Sequence, residues 1–425
     1  MNFEIERRRP RRKRILRWLG WSAGALVTLA VAGFIWLFWL GGIAISDRTM
    51  LWRMLREEGV PPPSAATVAA QLRVPEGYRI AVYASGLPSA RLLVVTTAGD
   101  LLVTQPRGGL VTLLRADRDG DGAPDGRRVI FEGLDRPNGI DLAGEWLYVA
   151  EATRVFRVRF DQARGVVVGA RETIVDGLSA DGAHWRKTVR IGPDGALYLG
   201  QGSTCNVCIE KDARRATIMR YAVDGSGGEI FASGLRNPYG FDWAPWDAAL
   251  HATENGRDLL GDDLPPDELN RIERGGFYGW PYLHGKDLRD PEFSLRPEAA
   301  ERIASTRPPV FAFRAHNAPL GMRFLRHSPD ESMARVALVA LHGSWNRSVP
   351  DGYKVIALEF RTDGGIVARP FLEGFRAAGG LIGRPVDVAE AADGTIFVSD
   401  DYAGTIYRIQ PPARVTRSPR QPDSA

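Results

Sequence analysis

Gly192-Pro-Asp-Gly195-Ala196-Leu-Tyr-Leu199 is a tight turn running into an alternating apolar strand, and this unit recurs along the chain. Ala98-Gly99-Asp100 leads into Leu101-Leu-Val-Thr104, Ala143-Gly144-Glu145 into Trp146-Leu-Tyr-Val149, and Trp246-Asp247 into Ala248-Ala-Leu-His251. Arg335-Val-Ala-Leu-Val339 is a weaker copy, and Ala392-Asp393-Gly394 before Thr395-Ile-Phe-Val398 is the last. Glycine and aspartate supply the reversal, and period-two alternation gives a half-buried strand. Most copies are followed by a second apolar strand, at residues 110–113, 154–157, 217–220, 353–356 and 405–408. The period is roughly 45 to 55 residues, widening to about 90 between the fourth and fifth copies, against about 40 to 50 for propeller blades. This predicts an all-β, six-bladed β-propeller over residues 73–412, with an insertion between about Asn255 and His327. A pair of β-sandwiches is the alternative.

Outward from this body, residues 1–17 hold eight basic side chains against Glu4 and Glu6, a positive-inside signal. No charge interrupts Trp18 to Ile45, where a bilayer-spanning helix needs about 20 residues. Trp18, Trp21, Trp36 and Trp39 suit interfacial anchoring. The expectation is a cytoplasmic tail (1–17), a single transmembrane helix (18–45), a stalk and stiff Pro61-Pro62-Pro63 linker (46–72), and a disordered tail (413–425). The propeller would then face the periplasm from a bacterial inner membrane. A cleaved signal peptide ending near Ala44-Ile45-Ser46 is the alternative.

The basic tail accounts for more than the whole net charge of +4, so the remainder is slightly acidic and nucleic acid is not an expected partner. The two cysteines, Cys205 and Cys208, form a Cys-x-x-Cys pair followed by Ile209, not the histidine that haem attachment requires. In an oxidising compartment they read as a disulfide, with a redox-active pair as the alternative.

The loops beside the repeat carry the chemistry. In order they read Asp181-Gly-Ala-His184-Trp185-Arg186, Gln201-Gly-Ser-Thr-Cys205-Asn206, Gly234-Leu-Arg236-Asn237-Pro-Tyr-Gly240 and Glu254-Asn-Gly256-Arg257. Pro266-Asp267-Glu268-Leu-Asn270, His342-Gly-Ser-Trp345-Asn346-Arg347 and Gly383-Arg384-Pro385 follow. In this succession they resemble the glucose/sorbosone dehydrogenase family, pyrroloquinoline quinone (PQQ)-dependent sugar dehydrogenases of the soluble type, and most of all its sorbosone branch, across about residues 73–410.

The resemblance implies oxidation of an aldose, a sorbosone-like sugar or a related aldehyde or alcohol at the axial mouth of the propeller. Hydride would pass to C5 of PQQ, and electrons onward to a respiratory quinone or cytochrome. His184 matches the family's general base, a role an imidazole suits near neutral pH. Arg236 and Arg384 match arginines that grip the three carboxylates of PQQ, and Gln201 and Asn237 are placed to hydrogen-bond the quinone edge. Where glucose enzymes carry a lysine, this chain offers His342 and Arg347, and a second late arginine aligns with Val386. Calcium on two backbone carbonyls maps to Gly256 and Arg257, with Asp262, Asp263, Asp267 and Glu268 as an acidic neighbourhood. Separately, Asp117-Arg-Asp119-Gly-Asp121-Gly122 with Asp125 has calcium-loop spacing, although Arg128 stands at position twelve. Two further readings stand: a lactonase-type propeller hydrolase with a metal on Glu, Asn and Asp side chains, and a non-enzymatic propeller binding carbohydrate or peptide.

Overall fold

The computed structural model describes residues 21, 24–29, 31–33, 56, 58–377 and 380–412. Most of the expected transmembrane segment, residues 46–55 and 57 of the expected stalk, and the whole 413–425 tail lie outside the described residues. Those described between 21 and 33 are helical and exposed. No helix among the described residues is long and apolar enough to cross a membrane.

All six copies of the repeat become the second strand of a four-stranded antiparallel sheet: Leu101–Gln105, Trp146–Ala150, Leu197–Gln201, Leu250–Glu254, Val336–Leu341 and Ile396–Asp400. The strands predicted after five of them are third strands. In the fourth sheet that position is Asp267–Ile272, whose polar spelling hides a strand buried on both faces. The insertion therefore splits in two. Residues 255–266 lengthen one connection, and 273–310 add Gly276–Phe277 as a parallel fifth strand on the third sheet and a short helix, Ala299–Ala304.

The first strands are Leu93–Val95, Gly139–Ala143, Lys187–Ile191, Pro238–Trp243, Pro319–Phe324 and Pro385–Glu390. They pack on one another around a common axis. Glycine lets them approach. A Cβ on Gly240 would stand 2.2 Å from the Leu320 carbonyl oxygen, and one on Gly139 2.8 Å from that of Lys187. Hydroxyls on second strands then bond across to the next sheet, Thr104 to Asn138 O at 2.9 Å and Thr253 to Leu320 O at 2.7 Å. The ring is closed by Arg79–Ala84, which pairs with Thr405–Gln410 as the outer strand of the sixth sheet (Ile80 opposite Ile409). Residues 60–72, expected as linker, belong to this closure. Ser64 caps helix Ala65–Gln71, and Val68 and Leu72 bury against the fifth and sixth blades.

Halfway down the axis, first strands contribute alternating charge. Arg190 lies 3.5 Å from both Asp141 and Asp242, Arg326 reaches Asp242 at 2.9 Å, and Asp387 accepts from Leu93 N. Guanidinium groups thus stand where a lactonase-type propeller would need its side-chain-bound metal.

Each first strand starts at one face, called upper here, and returns from the lower face as the second. If axial contact demands glycine, Gly240→Ala costs about 2 to 3 kcal/mol. Gly126→Ala, whose Cβ would meet only Arg115 Cγ at 3.8 Å, stays within about 0.5 kcal/mol in denaturant midpoints.

Candidate active site

Five outer segments end in a left-handed glycine followed by a buried Leu or Phe: Gly86-Leu87, Gly133-Leu134, Gly177-Leu178, Gly234-Leu235 and Gly374-Phe375. The chain there turns inward across the upper face, and an arginine follows shortly before each first strand: Arg91, Arg136, Arg186, Arg236 and Arg384. This recurrence escaped the sequence reading, and with it the cofactor candidates Arg91 and Arg186.

Three of the five gather at the axis. Arg91 donates to Tyr239 Oη at 2.8 Å and pairs with Asp401. Arg384 donates to the carbonyls of His342 and Gly343. Burial, then neighbouring Arg91, pushes Arg186 down to about 10, still charged at neutral pH. Asp401 is the carboxylate all three feel. Burial opposes its ionisation, but His342, Arg91 and Arg384 hold it well below the usual range. Burial, then Arg384, pushes His342 down to about 4, so its neutral ring donates Nε2–H to Asp401 at 2.9 Å. Burial raises the adjacent Asp400 to about 7. Three guanidinium groups thus face one firmly ionised carboxylate. Like charges gathered in a buried site repel one another. Beside them Gln201 is 0% exposed and neither end of its amide has a hydrogen-bond partner. Excess buried positive charge with an unused amide fits a ligand carrying several carboxylates and carbonyls, as PQQ does.

His184 sits over Gly202, where a Cβ would come within 2.5 Å of its own Cβ and 2.6 Å of Asn237 Oδ1. Its Nδ1 lies 3.1 Å from Ser203 O, and a carbonyl only accepts, so Nδ1 carries the proton and Nε2 keeps its lone pair. Burial, then Arg236, lowers its pKa to about 3. Arg215, also buried, ties this loop down by donating to the carbonyls of Ser179, Asp181, His184, Gly202 and Ser203. Cys205 and Cys208 are disulfide-bonded in the next loop. Asn206, between them, receives Arg236 on both its carbonyl and its side-chain oxygen.

Arg236 spends its remaining donors on Asn255 O, Gly256 O and Asp258. The Gly256 carbonyl expected for calcium therefore already faces a guanidinium cation. Arg257 pairs with buried Asp290. Asp267 accepts from Gly256 N and Ala318 N, and burial raises it to about 7. Glu268, likewise raised to about 7 by burial, accepts from Gly285 N and Asn270. Asp262 caps Ser348 N. Arg347 reaches Asp262 O, Ala315 O and Asp263 rather than the arginine cluster. As arranged, these groups do not offer calcium an open seat. Asp117, Asp119 and Asp125 do converge, although Arg408 already pairs with Asp117. Asp121 instead accepts from Ala123 N within its own turn. Asn237 donates to Asn255 at 2.8 Å.

Fold and cluster define a six-bladed propeller with buried arginines gathered at the upper end of its axis. The chain belongs to the TrAA12-like family, whose model matches residues 72–275 and 298–412. It is 28% identical over 390 residues, 81% of this chain and 94% of the relative, to an uncharacterized protein of Borreliella burgdorferi. It is 25% identical over 419 residues to the pyrroloquinoline quinone-dependent pyranose dehydrogenase of Coprinopsis cinerea, covering 82% of this chain and 56% of the enzyme's length. The solved holo form of that pyranose dehydrogenase's PQQ domain shares the fold, with TM-score 0.69 at 23% identity over 82% of this chain and 98% of the domain.

In cofactor-free protein, nitrogen-detected NMR should find His184 as the Nδ1–H tautomer, uncharged from pH 8 to 5. A midpoint near the ordinary value of about 6.5 would contradict burial as its controlling influence.

Proposed function

We propose that the chain is a PQQ-dependent dehydrogenase oxidising an aldose, a sorbosone-like sugar or a related aldehyde or alcohol. What carries this reading is the gathering of three buried guanidinium groups, Arg91, Arg186 and Arg384, at one end of the axis, together with the buried, unpartnered amide of Gln201. It gains support from the Coprinopsis relative, whose name states PQQ dependence. PQQ, when bound, would supply the two-electron acceptor. Arg91, Arg186 and Arg384 would hold its carboxylates, and Gln201 and Asn237 would hydrogen-bond its rim.

Oxidising a C–H bearing a hydroxyl requires removal of the hydroxyl proton. His184 Nε2 accepts it, the ring being neutral and its orientation fixed through Nδ1. The depressed pKa makes the free imidazole a weak base. Carboxylates held by Arg91, Arg186 and Arg384 would offset the positive field that Arg186 contributes at His184 and so raise the imidazole's proton affinity. No step is routed through calcium, because Arg236 occupies the Gly256 carbonyl. A structural calcium at Asp117, Asp119 and Asp125 remains part of the proposal. So do a single membrane span over 18–45, a periplasmic propeller and delivery of electrons to a respiratory quinone or cytochrome.

The test is dye reduction by purified protein given PQQ and calcium, across a panel of sugars and aldehydes. His184→Ala should lose on the order of 10² to 10⁴ in turnover while binding PQQ as before. Retained turnover would remove the base assignment, and no turnover by the unaltered protein on any substrate would remove the enzyme reading.

A further inference from the structure

The exposed large apolar side chains of the propeller are not scattered evenly. Val129, Val168, Ile230, Val310 and Val367 lie in or beside outer strands, one to each of the first five blades. Of the remaining five, Ile209, Leu259, Leu264 and Val349 lie in upper-face connections between second and third strands, and Leu295 ends the 3-10 turn Phe293–Leu295 of the 273–310 insertion, which is joined to that face through Asp290 and Arg257; Leu295 and Val349 are the most exposed, at 82% and 70%. Among the described residues, no lower-face turn carries one. The loops bearing Ile209, Leu259 and Val349 are tied together. Asn206 donates to Asp258 O at 3.1 Å, Asn346 to Asp258 Oδ1 at 3.0 Å and Ser348 N to Asp262 at 3.1 Å.

An independent observation concerns where the chain joins the propeller. Val60 N donates to Tyr402 O at 2.9 Å, and Gly59 lies so close that a Cβ would stand 2.3 Å from the same oxygen. Tyr402 is in the connection between second and third strands of the sixth blade, on the upper face and next to Asp401 of the arginine cluster. The helix Ala65–Gln71 ends beside Gly374 at the upper end of the fifth blade, Arg73 pairs with Glu373, the chain then descends to Tyr78, and Arg79–Ala84 climbs back. The described chain thus meets the propeller, at Gly59 and Val60, on the upper face. The residues between Ile45 and Gly59 reach at most roughly 50 Å if fully extended.

We propose that the upper face, with the candidate active site in it, lies against the phospholipid bilayer surface. Ile209, Leu259, Leu264, Leu295 and Val349 make the contact. This rests on reading residues 18–45 as a membrane span. Exposed charges on the same face, such as Asp263 and Arg314, suit a headgroup-level contact rather than insertion. In this orientation a lipid-soluble electron acceptor approaches the cofactor end of the axis directly from the bilayer.

The test uses the full chain in phospholipid nanodiscs containing headgroup spin-labelled lipid. A fluorophore is attached through Val349→Cys on the upper face or Ala392→Cys in a lower-face turn, the native cysteines being disulfide-bonded. The proposal predicts several-fold stronger quenching at position 349 than at 392, reduced by Leu295→Ser with Leu259→Ser. Equal quenching, or stronger quenching at 392, overturns the orientation. Failure of the chain to enter nanodiscs overturns the anchor and the orientation with it. Neither readout depends on turnover, so loss of the enzyme reading would leave the proposal standing.

Discussion

The structure turns on a contrast between two layers of buried charge along one axis. Further down, Arg190 lies within ion-pair distance of Asp141 and Asp242, and Arg326, just past the fifth blade's first strand, also pairs with Asp242. One layer above, Arg91, Arg186 and Arg384 share Asp401, while neighbouring Asp400 is raised towards neutrality by burial. Gathering like charges in a low-dielectric interior is expensive. The fold tolerates this layer because a six-bladed ring is a large, closed construction whose stability comes from elsewhere, notably the buried faces between blades.

The same contacts position the upper face. Glycine at the axial positions brings first strands close, hydroxyls on second strands lock the next blade, and every loop above inherits its position from these contacts. His184 is set by two such devices, the Gly202 gap beneath it and the Arg215 guanidinium gathering carbonyls from both neighbouring loops. The disulfide loop extends the chain of contacts to Arg236 through Asn206.

Much of this was legible in the sequence. Turn-plus-alternation found all six second strands because those strands are short, apolar and preceded by residues that reverse the chain. It missed first strands such as Pro238–Trp243 and Pro385–Glu390, which open on proline and carry a register shift that breaks the alternation. It also missed Asp267–Ile272, where polar side chains are buried by partners brought in from distant loops. In the site, His184, Gln201, Asn237 and Arg384 stood out by motif, while Arg91 sits in the plain stretch Ser89-Ala90-Arg91-Leu92. The recurring Gly-Leu before each inward crossing was the signal that would have found it. The expected calcium carbonyl at Gly256 could not be judged from sequence, because its competitor, Arg236, stands before the first strand of the blade, twenty residues away, and meets it only once the strands pair.

The claim at the centre of the account is that the axial cup is completed by a polyanion. Calorimetric titration of the cofactor-free full chain with PQQ and with its trimethyl ester, which keeps the quinone and loses the three charges, tests it directly. The account predicts stoichiometric binding of PQQ that weakens steeply with salt, and at least about a hundredfold loss of affinity for the ester, equivalent to about 2.7 kcal/mol. Equal affinity for the two, or binding of PQQ that is indifferent to salt, would contradict it.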